Sequence, residues 1–314
     1  MIKHFSHART AFKYGLKTLN IQKEDEILIP DFNCDVMLHP FSQLKIKYNY
    51  YEIDNQLKPD WHKLEKLITV KTKAVLMVHY FGQPQNIEKF RNFCNKHKLF
   101  LIEDNAHGHG GKFNDKILGT FGDIGISSPR KIINTQSGGI LFNNTKIDFN
   151  FPQLPPYPIS NNMNIIRNYL NYFPNFKLFL KKIIRKRPLY EDPKAFRELE
   201  ILDYSVDEKS QELFNLTNWG KIIRDRQICY YKWQDFALSK GLKPVYDNLY
   251  PLANPWCFPA YTKSKDESAY WYKWGWKNNK LVFSWPTLPN ELIYRDSSTL
   301  DRWKKLICFS TLSF

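Results

Sequence analysis

Cysteine is scarce and unpaired in pattern: Cys34, Cys94, Cys229, Cys257 and Cys308 are scattered over 314 residues with no C-x-x-C. An odd, dispersed set excludes a disulfide framework and a zinc ribbon, and the thiols read as reduced. Long apolar runs are also missing. The longest, Ala74 to Val78, falls far short of the ~20 residues a membrane-spanning helix needs. Met1 to His7 carry no apolar stretch or small-residue cleavage site of a secretory signal, so a cytoplasmic location is expected. Acidic residues are under-represented, with 31 Asp and Glu against 46 Lys and Arg and a net charge of +15. That imbalance favours an anionic partner: nucleic acid, a membrane surface or a phosphorylated metabolite. No helix-turn-helix, zinc finger or other reading module accompanies the charge, so nucleic acid is not the expected partner. No repeat recurs at solenoid periods.

What is present is an α/β pattern. Between residues 15 and 145, β-rich apolar runs alternate with helical periodicity, as in a wound, largely parallel sheet. Strands are predicted at Glu26 to Pro30, Ala74 to Tyr80 and Leu99 to Asp104, with a helix from Ile87 to Lys98. The runs are nearly continuous in hydrophobicity, which requires cover on both faces of the sheet. Ligands of such sheets lie beyond the carboxyl ends of the strands. Asp31-Phe32-Asn33, His79-Tyr80-Phe81-Gly82 and Glu103-Asp104-Asn105 are therefore expected to converge. Downstream, a Pro-rich and then basic stretch at 148–200 reads as a connector, a long helix is predicted from Glu208 to Lys240, and Trp-rich segments follow as a small α+β unit.

Glu103-Asp104-Asn105-Ala106-His107-Gly108-His109-Gly110-Gly111 gathers acids, two imidazoles and three glycines in nine residues. Taken alone it fits a metal site, a solvated turn, or a cofactor site in which Asp104 holds a protonated ring nitrogen. A second segment, Gly119-Thr-Phe-Gly-Asp-Ile-Gly-Ile-Ser-Ser-Pro-Arg130-Lys131, closed by Ser137-Gly138-Gly139, separates these readings. Together with Ser6 to Phe12, Ile27 to Cys34 and Val78 to Gly82, it resembles the DegT/StrS family of pyridoxal-phosphate sugar aminotransferases, of the aspartate-aminotransferase-like fold type I. The similarity is clear over residues 5 to 145 and weaker from 200 to 314.

The resemblance implies an α/β protein: a three-layer α/β/α PLP-transferase-like large domain with a mostly parallel sheet (1–200, including the connector) and a smaller C-terminal α+β domain (201–314). It implies pyridoxal 5'-phosphate as cofactor, with Lys131 as the internal aldimine partner and Asp104 on the ring nitrogen. It further places His107 at the ring hydroxyl, Phe32 stacked on the ring, and Ala8, Arg9 and Ser128 at the phosphate, where a helix N-terminus offers free N–H groups. Ala8 stands where the family usually has glycine, and Ser137 where many members have glutamate. The implied activity is amination of a keto-sugar nucleotide for surface polysaccharide or lipopolysaccharide, with glutamate as amino donor, by a homodimer. Two alternatives stay open: a PLP-dependent sugar dehydratase, in which histidine replaces the lysine, and a non-catalytic protein that keeps the fold for binding or regulation. Residues 176–187 alternate Phe and Ile with Lys and Arg at helical spacing. This pattern suits either a surface helix packed on the protein or a peripheral contact with anionic membrane.

Overall fold

A computed structural model of the chain describes residues 1–159, 193–194, 202–294 and 298–314. The basic segment 176–187 and most of the expected connector lie outside the described residues.

The chain opens with β1 (Ile2–Phe5) and α1 (Ala8–Thr18), then β2 (Glu26–Pro30), α2 (His39–Leu44), β3 (Lys47–Tyr51) and α3 (Trp61–Lys66). It continues through β4 (Thr72–Val78), α4 (Ile87–His97), β5 (Phe100–Asn105), a small hairpin β6 (Lys112–Phe113) and β7 (Lys116–Ile117), β8 (Ile124–Ser127) and β9 (Gly139–Asn143). Seven of these strands form one sheet in the order β1-β9-β8-β5-β4-β2-β3. The contacts from β3 through β2, β4 and β5 to β8 are parallel, and β9 is antiparallel to both its neighbours. Ile27, Leu28 and Ile29 of β2, and Ala74 to Met77 of β4, are all 0% exposed. Side chains alternate across a strand, so both faces of the sheet are covered, which is the α/β arrangement the apolar runs imply.

Local chemistry sets the element ends. Asp60 and Asn86 cap α3 and α4 by accepting from the backbone N–H of Lys63 and Lys89, and α4 stops where Lys98 turns left-handed. The expected single helix from Glu208 to Lys240 is two helices, α5 (Glu208–Leu216) and α6 (Trp219–Ser239). Thr217 is extended and the Asn218 side chain accepts from Lys221 N–H, so a fresh N-cap interrupts an otherwise continuous pattern.

β10 (Lys243–Pro244), β11 (Cys257–Tyr261), α7 (Lys265–Lys277), β12 (Val282–Phe283), α8 (Asn290–Tyr294), α9 (Ser298–Lys305) and β13 (Leu306–Ser310) complete the chain. The four strands form an antiparallel sheet in the order β10-β11-β13-β12. Leu306 and Cys308 join the main core, whereas Ile307 and Phe309 join a second cluster with Trp233, Tyr230 and Trp271. The two-residue period of β13 thus stitches the C-terminal sheet onto the large one.

Candidate active site at the strand ends

A cavity of about 380 Å³ lies where the loops after β2, β5 and β8 meet the N-terminus of α1 and the C-terminal residues Trp256 and Phe283 to Trp285. Lys131, Asp104, His107, Ser128, Ala8 and Arg9 all line it. Six of the seven expected site residues therefore converge from three separate stretches of chain.

Lys131 closes a 3-10 turn that starts at Pro129, with its N–H donating to Ser128 O at 3.1 Å. Its Nζ lies 5.3 Å from the centre of the Trp256 ring. Asp104, at the end of β5, is 5% exposed and its Oδ1 accepts from Ala106 N–H at 2.8 Å. Burial raises its carboxyl above the ordinary range, opposed by that N–H and by the Lys131 charge. A cation placed against it would favour the carboxylate. His107 is pushed well below the usual imidazole range by burial and by Lys131. Its Nδ1 accepts from Phe81 N–H at 3.2 Å, so the neutral ring carries its proton on Nε2 and is a donor there.

The other end of the cavity suits an anion. His7 is extended and no side chain caps α1, leaving first-turn amides at the positive end of the helix dipole. Gly139 makes this approach feasible: a Cβ there would sit 2.1 Å from the His7 carbonyl carbon and 2.5 Å from Ala8 N. Gly138 N–H also donates to Ser6 O at 2.6 Å. Ser128 is 3% exposed, and its hydroxyl is only 3.5 Å from Gly138 O, a contact too long to commit its proton. Arg9 and Arg130 add positive charge to the same walls.

Ser137 fastens the lysine loop from behind. Its hydroxyl donates to Asp207 Oδ2 at 2.6 Å and accepts from Asp207 N–H at 3.0 Å. Asp207 in turn caps α5 by accepting from Ser210 N–H. Buried Arg226 of α6 donates to Ile132 O at 2.9 Å, Pro255 O at 3.2 Å and Thr311 Oγ1 at 2.9 Å. Burial lowers it to about 10, so it is still a cation at neutral pH.

Three expectations are corrected. Phe32 does not line the cavity: its ring is 0% exposed, edge-on to Trp285 at 5.7 Å and beneath the Arg302 guanidinium at 5.6 Å. Cys34 lines the cavity instead, a thiol that burial pushes up to about 12. His79 and Glu103 turn away from the site and pair with each other at 2.9 Å, both 0% exposed. Adjacent strand residues face opposite ways, so Glu103 and Asp104 serve different sides of β5. Asp31 is also withdrawn, accepting from Thr299 Oγ1 at 2.8 Å with Arg302 at 3.7 Å.

The His-x-His pair splits. His107 faces the cavity, whereas His109 Nδ1 is 2.8 Å from Ser127 Oγ and its ring lies edge-on to Trp219 at 4.5 Å. Among the described residues no group of three or more His, Cys, Asp or Glu is placed to hold a metal ion. Burial drives His109 down to about 3. A depressed imidazole stays neutral in the fold while the unfolded chain takes up a proton below about 6.5. Stability is therefore expected to fall as pH drops from 6.5 towards 3, by up to ~1.4 kcal/mol per pH unit for this residue. Denaturant midpoints at pH 7, 6, 5 and 4 should show a shallower slope for His109→Asn than for wild type. Parallel slopes would exclude His109 as a source of the acid sensitivity.

Residues 4–149 match the model of the DegT/DnrJ/EryC1/StrS aminotransferase family. A GDP-perosamine synthase of Vibrio cholerae is 32% identical over 152 residues, covering 46% of this chain and 41% of that protein. A GDP-4-keto-6-deoxy-D-mannose 3-dehydratase of Escherichia coli O55:H7 is 33% identical over 113 residues, covering 36% of this chain and 29% of its own. These matches span about two fifths or less of the relatives' length. The fold extends further. A Helicobacter pylori aminotransferase involved in the biosynthesis of pseudoaminic acid superposes with a TM-score of 0.69 at 17% identity, over 99% of this chain and 81% of that one. A Brucella abortus DegT DnrJ EryC1 StrS aminotransferase gives 0.67 at 14% identity, over 99% and 80%. The lysine turn, the strand-end aspartate and the glycine-backed helix start all lie inside residues 4–149, the segment that matches the model of the DegT/DnrJ/EryC1/StrS aminotransferase family.

Proposed function

We propose that the protein is a pyridoxal-phosphate-dependent aminotransferase acting on a keto-sugar nucleotide, with glutamate as amino donor and a homodimer as the working form. The observation that carries this reading is the meeting of an amine, a buried carboxyl, a neutral imidazole donor and an uncapped helix N-terminus in one cavity. That donor set fits the cofactor. Asp104 would hold a proton on the ring nitrogen, and His107 Nε2–H would donate to the ring hydroxyl. The Ala8 and Arg9 amides with the Ser128 hydroxyl would hold the phosphate. Pyridoxal phosphate, when bound, supplies an aldehyde that takes up amines and a ring that withdraws electrons from the adjacent carbon. Lys131 would bond to that aldehyde and, once released, move a proton as a general base. Arg9 and Arg130 suit a substrate that carries phosphates, and GDP-perosamine synthases among the relatives favour a sugar nucleotide.

A dehydratase among the relatives supports a second reading. The side chain at the turn is lysine, not the histidine that the family resemblance assigns to dehydratases, and this favours amino transfer. The direct test is to add pyridoxal phosphate to the purified chain, then glutamate, then a panel of keto-sugar nucleotides, with mass spectrometry of the products. A visible absorption band that glutamate bleaches, followed by an aminated sugar, is expected. A chain that develops no band would overturn the reading. In the same assay Asp104→Asn should still bind the cofactor, while half-transamination by glutamate slows by about 10²-fold or more as the ring loses its electron demand. Equal rates for the two proteins would remove Asp104 from this role.

A further inference from the structure

With Phe32 withdrawn, the aromatic surface of the cavity comes from the C-terminal third of the chain, and Trp256 is its centre. The indole is stacked on His107 at 4.7 Å and 24°, with Phe283 tilted against it at 5.1 Å. Its main chain is fixed independently of the ring: the N–H donates to Phe81 O at 2.9 Å and the carbonyl accepts from Thr311 Oγ1 at 2.9 Å. A rigid π face therefore stands 5.3 Å from Lys131 Nζ, inside the range at which a ring quadrupole attracts an ammonium.

We infer that Trp256 is a positioning residue for Lys131, its indole face carrying the lysine ammonium within the cavity whenever the amine is not bonded to an aldehyde. The inference rests on the reading of Lys131 as the amine that takes the cofactor. The consequence is chemical. For the C=N bond to form, the amine must first give its proton to solvent, because only the neutral nitrogen has an electron pair for the aldehyde carbon. The carbonyl oxygen then leaves as water. A π face that favours the ammonium delays this proton loss and moves bond formation to higher pH. Other titratable or charged groups on the cavity walls are Asp104 and His107 from the β5 end, Cys34 and Asp35 from the loop after β2, His7 and Arg9 at α1, and Arg130 beside the lysine. All are retained in the variants below.

The test uses the full chain and pyridoxal 5'-phosphate. The rate at which the visible C=N absorption grows is followed against pH for wild type, Trp256→Leu and Trp256→Phe, and borohydride reduction with peptide mapping identifies the labelled lysine. The pH of half-maximal rate should fall by about half a unit in Trp256→Leu, the size of an ordinary cation–π contact, and by less in Trp256→Phe, which keeps a weaker face. Should the leucine variant not fold, Trp256→Met removes the π face while filling more of its volume, and the same fall is expected. Coincident pH profiles with the label still on Lys131 would overturn the role of Trp256 and leave the lysine assignment standing. A label on another lysine would overturn both.

Discussion

On the function proposed above, replacing Lys131 by alanine is expected to abolish the visible band formed with pyridoxal phosphate and to lower amino transfer by about 10⁴-fold, since the variant would lose both the proposed covalent anchor and the proposed general base. The loss should be chemical rather than structural. The turn is held by backbone bonds at Ser128 and Pro129 and by Arg226 on Ile132 O, none of which uses the lysine side chain. Thermal melting of the variant should match wild type. Retained turnover in Lys131→Ala would show that the reacting amine lies elsewhere.

Glu103→Ala should produce the largest loss of stability. The carboxylate is 0% exposed and accepts four bonds: from Gly119 N–H (2.6 Å) and His79 Nε2 (2.9 Å) on one oxygen, and from Phe121 (2.7 Å) and Gly122 N–H (2.9 Å) on the other. His79 Nδ1 accepts from Gln85 N–H, so Nε2 is the nitrogen that donates to the carboxylate. Burial alone would raise this carboxyl, but the bonds from His79 and the loop amides outweigh it and leave it lowered. Removing it strands several buried donors, a cost on the order of 4 kcal/mol. A lowered carboxyl stabilises above its unfolded value near 4.5 and stops doing so as pH falls through its folded value. The deficit of the variant, measured by urea denaturation, should therefore be full at pH 7 and narrow below pH 4. A deficit under 1 kcal/mol at pH 7 would mean that the loop finds other acceptors.

Much of the large sheet was legible in the sequence, because β2, β4 and β5 are short apolar runs buried on both faces and bounded by polar residues. Glu26 to Pro30 is found as read. The cavity lining was legible where local chain places a residue: a lysine on a proline-led turn, an aspartate at a strand end, a helix start backed by glycine. It was not legible where long-range packing decides. Nothing near Phe32 reveals that Trp285 and Arg302, about 250 and 270 residues later, claim its ring. Nothing near Trp256 marks it as a cavity wall, since the contacts that put it there run to Phe81 and Thr311. The break at Thr217 was hidden because Asn218 is compatible with a helix interior, and only its bond to Lys221 N–H makes it a cap.

The clasp between Ser137 and Asp207 bears on how this chain divides. The segment that matches the family model stops at residue 149, yet the loop bearing Lys131 is fastened by a carboxylate about 60 residues further on. Ser6 N–H donates to Tyr204 O, and Phe5 bridges to Ser205, so the start of α1 leans on the same stretch. A fragment ending near residue 150 would keep every motif that marks the family and lose the stretch that holds the lysine loop and the helix start in place. Recognisability and self-sufficiency belong to different lengths of this polypeptide. Grafting the recognisable half onto another protein would transfer the cavity-lining groups without the contacts to Asp207, Tyr204 and Ser205 that hold their loops.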